Sequence, residues 1–225
     1  MKKITAIEPQ KYNPRRVNIH LDGEFAFGLS AIVAAWLKVG QPLEDARAAE
    51  LKAQDQREEA MQRALRSLGR RARTEVELRA SLAKAEIGED VICATLARLK
   101  ELNLLDDAAF ARSFISDRQR FRPRGKRLMS LELRQKGVDA ATAAKALEEQ
   151  VDDAAEALSA AQQAARRYKA LPWPEFKQKM AAWLLRRGFG WQDAGPAVRA
   201  AWQTLHPGNA GAGQQDNFEI DEEDV

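Results

Sequence analysis

Cysteine and histidine, which supply many metal sites and nucleophilic centres, are nearly absent from this sequence. Its 225 residues contain one cysteine, Cys93, and two histidines, His20 and His206. One cysteine excludes an intramolecular disulfide framework, and the three residues do not have the spacing of a zinc site. Cys93 lies in the apolar run VICATLARL and is predicted to be a small buried thiol, whereas both histidines are predicted to lie at the surface. We therefore expect no metal ion.

Long apolar runs and glycine-rich phosphate loops are also missing. No stretch approaches the roughly 18 consecutive apolar residues of a membrane helix, and the first ten residues lack the apolar core of a signal peptide. Neither GxxxxGK[ST] nor GxGxxG occurs. The pairs Asp106-Asp107 and Asp152-Asp153 fall at predicted helix starts, where aspartate is a common cap. These absences predict a cytoplasmic protein that is not an enzyme, with no membrane contact, cofactor or small-molecule substrate.

Helix-forming and charged residues, by contrast, are abundant. Hydrophobic residues make up 45% of the chain, charged residues 31% and aromatic residues only 7%, a composition that favours helices. The net charge is +3, but residues 214–225 contribute six acids and no base, which leaves the remaining body at about +9. We expect residues 207–225 to be a disordered acidic tail, and the body to bind nucleic acid or an acidic protein surface.

Strand-like alternation is confined to residues 1–30. Apolar residues alternate with polar ones on both sides of Asp22-Gly23. This dipeptide suits a type I′ hairpin turn, because both of its central residues need positive φ. An earlier strand around Ile4–Ile7 is predicted to join the hairpin.

Residues 31–54 are predicted to form linker helices. Ser30 can cap a short helix over residues 31–39 that stops at Gly40. Pro42 can then open a long polar helix that runs into the first packed unit.

The rest of the body repeats with a period of 51 residues. Four apolar columns keep one register across three copies: Leu78, Met129 and Met180; Leu82, Leu133 and Leu184; Ile87, Val138 and Phe189; Leu96, Leu147 and Val198. Gly88, Gly137 and Gly188 are predicted to follow the second helix of each copy. The predicted fold class is mainly α: an elongated array of three tandem three-helix repeats, at 55–105, 106–156 and 157–206, preceded by a small β-hairpin segment.

Positive charge is concentrated in the second repeat, around DRQRFRPRGKR at residues 117–127. The candidate binding residues are Arg118, Arg120, Arg122, Arg124, Lys126, Arg127, Arg134 and Lys136. Phe110, Phe114 and Phe121 share a helix face and are predicted to be core, which would leave all these basic side chains facing solvent. Lys126 and Arg127 open a helix against its macrodipole, and this predicts an anionic partner there.

The segment LLDDAAFARSFISDRQRFRPRGKRLMSLELRQKGVD resembles the most characteristic segment of the RecX family, regulators of the RecA recombinase. The resemblance covers about residues 1–205. It implies a protein that binds in the groove of the RecA filament on DNA and suppresses RecA's ATPase, strand-exchange and coprotease activities, in homologous recombination, DNA repair and the SOS response. It assigns the basic residues to contact with RecA and DNA, and Asp106, Asp107, Phe110 and Ala111 chiefly to structure.

The sequence is compatible with two functions. One is a modulator of the RecA filament; the other is a helical module that binds single- or double-stranded DNA non-specifically by itself, since three-helix units resemble helix-turn-helix domains in size. No predicted helix carries an obvious set of base-reading side chains, and no dimerising heptad is evident. We therefore do not expect sequence-specific DNA binding, and a monomer is the working expectation.

Overall fold

A computed structural model describes residues 1–207, which form two compact units. The first unit runs from Met1 to Leu105, and the second begins at Asp106. The first contains β1 (Lys2–Gln10), β2 (Asn13–Leu21), β3 (Glu24–Ser30), α1 (Ala31–Ala34), β4 (Pro42–Leu43), α2 (Asp45–Leu68), α3 (Glu75–Ala83) and α4 (Glu89–Glu101). The second contains α5 (Asp107–Phe121), α6 (Lys126–Gln135), α7 (Ala140–Gln150), α8 (Asp153–Ala165), α9 (Trp173–Arg186) and α10 (Trp191–Leu205). The predicted acidic tail lies, from residue 208 onward, outside the described residues.

The four strands form one antiparallel sheet in the order β3-β2-β1-β4. The predicted hairpin is confirmed, because Asp22 (φ 50°) and Gly23 (φ 91°) join β2 to β3. Ile4 and Ile19 are buried on one face of the sheet and pack in one cluster with Leu51 of α2. The hydrophobic core of the sheet therefore includes a helix that follows it in the chain.

The predicted course of residues 31–54 is wrong in two places. The helix α1 ends at Ala34 rather than at residue 39, and α2 begins at Asp45 rather than at Pro42. Strand pairing explains both differences, because Pro42 pairs with β1 as part of β4 and the Gly40 amide donates a 2.7 Å hydrogen bond to the Ile4 carbonyl. The helix α2 also runs without a break across the boundary predicted at residues 54 and 55.

The three-helix repeats are present. The second half of α2 joins α3 and α4 around one apolar cluster, α5 to α7 surround a second, and α8 to α10 surround a third. The residues of the predicted columns lie in these clusters; Leu78, Met129 and Met180, for example, are all fully buried. The 51-residue period thus corresponds to a structural repeat.

One glycine of the predicted repeat pattern was misassigned. Gly137 and Gly188 adopt the left-handed conformation (φ 89° and 87°) after α6 and α9, as predicted. Gly88 does not, because it is the N-cap of α4 with φ −62°. Glu86 takes the left-handed position instead (φ 59°), and residues 86, 137 and 188 keep the 51-residue spacing.

The prediction that Cys93 is buried is also wrong. The helix α4 turns Ile92, Leu96 and Leu99 into the core and leaves Cys93 exposed, with its Sγ 3.5 Å from Arg79 Nη1. Within residues 1–207, no group of three or more His, Cys, Asp and Glu side chains could hold a metal ion. In the same range, no helix is both long and apolar enough to cross a membrane.

Candidate functional site

The turn between α5 and α6 lies at the centre of the basic stretch, and its shape depends on Gly125. The Gly125 amide donates a 3.0 Å hydrogen bond to the Arg187 carbonyl in the loop after α9. A Cβ on Gly125 would lie 2.2 Å from the Gly188 carbonyl oxygen. The φ of Gly125 is −70°, which any residue can adopt. Close approach of two backbone segments, rather than an unusual turn, therefore requires glycine here.

Three of the predicted contact residues are engaged within the protein, and two of them, Arg118 and Arg124, share one carboxylate. Arg118 Nε donates a 2.9 Å hydrogen bond to Glu132 Oε2, and Arg124 pairs with the other carboxylate oxygen of Glu132. The Glu132 side chain is only 16% exposed. The guanidinium of Arg118 also lies 4.6 Å from the centre of the Phe114 ring. The prediction that all the basic side chains face solvent is therefore wrong for Arg118 and Arg124, because both form ion pairs with the mostly buried carboxylate of Glu132 in α6.

The chain itself provides the anion at the start of α6. The Lys126 amide donates a 2.9 Å hydrogen bond to Asp153 Oδ1, and its Nζ lies 3.0 Å from Glu148 Oε2. A carboxylate at a helix N-terminus offsets the helix dipole. Asp153 therefore compensates the dipole at this helix start, and the start of α6 no longer supports the prediction of an external anionic partner.

Five of the predicted contact residues remain exposed. These residues are Arg120, Arg122, Arg127, Arg134 and Lys136. Phe121 is exposed as well, at 70%, so the prediction that it is core is wrong, whereas Phe110 and Phe114 pack against the core of the second repeat. Phe121 is the last residue of α5 and lies beyond Ile115, the last residue of that helix buried in this core. We call these five basic residues the basic surface.

The residues of the acidic and aromatic motif lie where α5 begins. Asp106 is the N-cap of α5, and its Oδ1 accepts hydrogen bonds from the amides of residues 108 and 109 at 2.8 and 3.0 Å. Asp107 occupies the first turn. Ala111 is fully buried, and the ring of Phe110 stacks with that of Phe114. The motif therefore orients the helix that leads to the basic turn.

A cavity of about 170 Å³ lies beside this turn and extends the basic surface into the third repeat. Its lining includes Arg122, Arg167 after α8, Arg187 after α9, and the rings of Phe121 and Trp183. Sequence reasoning did not select Arg167, Arg187 or Trp183. The two arginines could have been found from the two pairs of adjacent arginines in the third repeat, at residues 166–167 and 186–187.

Arg187 is held in place on the wall of this cavity. Its guanidinium lies 4.0 Å from the centre of the Trp183 ring, and its Nη1 donates a 3.2 Å hydrogen bond to the Pro123 carbonyl. Burial lowers the pKa of Arg187, and repulsion from Arg167 and Arg122 lowers this pKa further. Arginine remains protonated in proteins in spite of such shifts. Arg187 is therefore repelled by both of the other guanidinium groups, and a bound anion would relieve that repulsion.

Two acidic side chains, Asp153 and Glu156, lie in the first turn of α8. Burial raises the pKa of Asp153, and repulsion from Asp193 raises it further, although the hydrogen bond from the Lys126 amide opposes the change. Burial also raises the pKa of Glu156, and this outweighs the hydrogen bond that Gln119 donates to Glu156. A carboxyl group whose pKa is raised in the folded state destabilises folding as the pH rises above its ordinary pKa, and the full cost is reached above the raised pKa.

We expect Glu156→Gln to raise the free energy of unfolding of the second unit at neutral pH by about 0.5 kcal/mol, a small gain because the carboxyl is only partly buried and water screens its charge. The amide oxygen can still accept the hydrogen bond from Gln119, but the charge is lost. The gain should disappear as the pH falls below the ordinary glutamate pKa of 4.5, because the wild-type carboxyl is then protonated in both folded and unfolded states.

Urea unfolding followed by tryptophan fluorescence would measure this difference. Four of the five tryptophans lie in the third repeat, and the fifth, Trp36, is 89% exposed, so the signal reports chiefly on the second unit. As a control, Glu175→Gln removes an exposed carboxylate from α9 and should give no such gain. A gain of equal size at neutral and at acidic pH would contradict the electrostatic explanation.

Models of known protein families match most of the chain. The model described as the regulatory protein RecX N-terminal domain matches residues 2–44. Those described as the first, second and third three-helix domains of RecX match residues 60–99, 106–147 and 151–195. The basic surface falls within the second of these three domains.

Individual proteins with similar sequences carry the same description as these family models. The chain is 37% identical to the regulatory protein RecX of Levilactobacillus brevis, over 84% of this chain and 72% of that protein. It is 33% identical to the regulatory protein RecX of Bacillus subtilis, over 87% of this chain and 75% of that protein.

Solved structures show the same fold. A crystal structure of regulatory protein RecX, 28% identical in sequence, matches with a TM-score of 0.67 over 91% of this chain and all of that chain. The crystal structure of RecX from Lactobacillus salivarius, 25% identical, matches with a TM-score of 0.59 over 68% of this chain and 98% of that chain.

Proposed function

The chain belongs to the RecX family of regulatory proteins, and from this premise we propose that it binds the RecA filament on DNA and inhibits RecA. The activities it would suppress are ATP hydrolysis, strand exchange and the coprotease activity. The observation that supports this proposal is the basic surface, five exposed cations within 17 residues of the second repeat. A RecA filament on DNA offers phosphates and acidic side chains to such a surface.

The contact role belongs, in this proposal, to the exposed cations. Arg118 and Arg124 are paired with Glu132, and Lys126 is paired with Glu148, so these three chiefly stabilise the turn. Arg122 is the first residue of the turn, Arg127 lies in the first turn of α6, and both are exposed. Because long exposed side chains can adjust to a partner without breaking internal ion pairs, these two are the better test residues.

This role requires no chemical step by the protein itself. We accordingly expect no catalytic residue, metal ion or cofactor, and a monomer as the acting species. The setting we propose is the cytoplasm, with the protein limiting RecA during homologous recombination, DNA repair and the SOS response.

A second candidate function is non-specific binding to DNA alone. The basic surface favours it too, since Lys and Arg that neutralise phosphates supply essentially all of the free energy of non-specific binding. The two functions differ in whether RecA must be present and in how much protein is needed for an effect.

We expect the protein to lower RecA ATP hydrolysis on single-stranded DNA at amounts well below those that coat the DNA. The double variant Arg122→Glu with Arg127→Glu should abolish this inhibition, because reversed charges repel phosphates and acidic side chains. ATP hydrolysis measured over a titration of each protein would test this, with circular dichroism and urea unfolding to verify the fold.

A charge-matched control is Lys145→Glu with Lys179→Glu, two exposed lysines of the same unit that pair with glutamates on their own helices. This control should still inhibit RecA. Inhibition that begins only when the DNA is fully coated would favour the DNA-only function. Inhibition that survives reversal of Arg122 and Arg127 would place the filament contact elsewhere.

A further inference from the structure

We propose that the cavity lined by Arg122, Arg167 and Arg187 is a subsite for one backbone phosphate of single-stranded nucleic acid, with Phe121 as a stacking platform for a neighbouring base. This inference rests on the proposed function for the presence of DNA. It goes further by naming the ligand group and by including two residues of the third repeat in the binding surface.

The chemistry of the cavity favours an anion. Three guanidinium groups reach it from three separate segments of the chain, and none of the described residues that line it is acidic. Arg118 and Arg124, by contrast, already pair with Glu132. The positive charge of the cavity is therefore not balanced by any acidic residue of its described lining.

The geometry of the cavity also favours binding of an anion. Arg187 is fixed by its stacking on Trp183 and by its hydrogen bond to the Pro123 carbonyl, so this side chain would lose little conformational freedom on binding an anion. A volume of about 170 Å³ accommodates a group the size of a phosphate. Planar guanidinium groups donate paired hydrogen bonds to phosphate oxygens. One phosphate in the cavity, with the rest of the strand outside, fits these dimensions.

The exposed ring of Phe121 favours single-stranded nucleic acid over an acidic protein. This ring lines the cavity and is 70% exposed, and the guanidinium of Arg120 lies 5.2 Å from its centre. Single-stranded nucleic acid places a base beside each phosphate, and stacking on an aromatic side chain is insensitive to base identity. A carboxylate on a protein partner would leave the ring unused, and a duplex keeps its bases stacked inside the helix.

Arg167→Ala is the most direct test, because Arg187 also supports the turn. We expect this variant to bind a fluorescently labelled 15-nucleotide thymidine strand about tenfold more weakly than the wild type at low salt. The slope of log affinity against log salt should become shallower by about 0.7, the value for one neutralised phosphate on a single strand. Fluorescence anisotropy over a salt series measures both quantities.

Arg166→Ala is the matched control. Arg166 is exposed and adjacent in the chain, and it does not line the cavity. Its replacement removes the same charge but should leave affinity and slope near the wild-type values. Equal effects of the two substitutions would overturn the subsite, since they would show a general effect of net charge.

Phe121→Ala separates stacking from charge. We expect it to weaken binding of the thymidine strand several-fold with an unchanged salt slope, because base stacking releases no counterions. Full affinity in this variant would overturn the stacking role. A decaglutamate peptide serves as the second probe, and if Arg167→Ala weakened peptide binding but not strand binding, the cavity would be a site for an acidic protein.

Failure of this inference can be told apart from failure of the proposed function. If the wild type inhibits RecA but Arg167→Ala binds the thymidine strand normally, the subsite is wrong and the regulatory proposal stands. If strand binding depends on Arg167 but RecA hydrolysis never responds to the wild type, the subsite stands and the regulatory proposal is wrong.

Discussion

Gly125→Ala should lower the free energy of unfolding of the second unit by about 3 kcal/mol or more. The added Cβ would lie 2.2 Å from the Gly188 carbonyl oxygen and 2.7 Å from the Phe189 amide nitrogen. Both neighbours are backbone atoms, so no side chain can rotate to make room. The clash can be relieved only by separating the turn from the loop after α9, which would also break the hydrogen bond from the Gly125 amide to Arg187.

Gly190→Ala is a close control for this substitution. Gly125 and Gly190 are both N-cap glycines, with nearly the same backbone angles (φ −70°, ψ 157° and φ −74°, ψ 161°). A Cβ on Gly190 would approach no atom closer than 3.5 Å. The control therefore reports the cost of alanine as a helix cap, which is about 1 kcal/mol or less. Equal destabilisation by the two substitutions, in urea unfolding followed by tryptophan fluorescence, would refute the role assigned to close backbone contact.

Glu132→Gln should lower the free energy of unfolding by about 2 kcal/mol. The substitution keeps the shape of the side chain but removes the charge that Arg118 and Arg124 share. Two partly buried guanidinium groups would then face each other without a counterion, and a buried charge that loses its partner costs about 3 to 5 kcal/mol. Partial exposure of both arginines reduces that penalty, because water screens their repulsion.

Glu148→Gln provides the comparison. Glu148 also pairs with a basic residue of this stretch, Lys126, but its side chain is 81% exposed. Its replacement should change the free energy of unfolding by about 0.5 kcal/mol or less. If the two glutamates proved equally important to stability, the claim that Glu132 organises the turn would fail. High salt should weaken the Glu148 effect much more than the Glu132 effect.

Several features of this fold could be predicted because they depend on residues close together in the chain. The turn at Asp22-Gly23 needs two residues that tolerate positive φ, and alternating apolar residues on either side identify the paired strands. The three-helix repeats could be recognised because each copy must bury the same helix faces, so the apolar columns recur every 51 residues. Even the error at Gly88 left this period intact, since Glu86 adopts the left-handed conformation that glycine adopts at residues 137 and 188.

The predictions failed where the answer depends on a partner far along the chain. The sequence alone determined that the chain has a hairpin, three helical repeats and a basic stretch in the second of them. Only the tertiary structure decided which cations of that stretch are exposed, because the Arg118 side chain meets Glu132 14 residues away and the Lys126 side chain meets Glu148 22 residues away. Packing of the second repeat against the third likewise brought Arg167 and Arg187 to Arg122 and required glycine at position 125. Helical periodicity specifies which face of a segment is buried, but the contacts between such faces follow from how the helices pack.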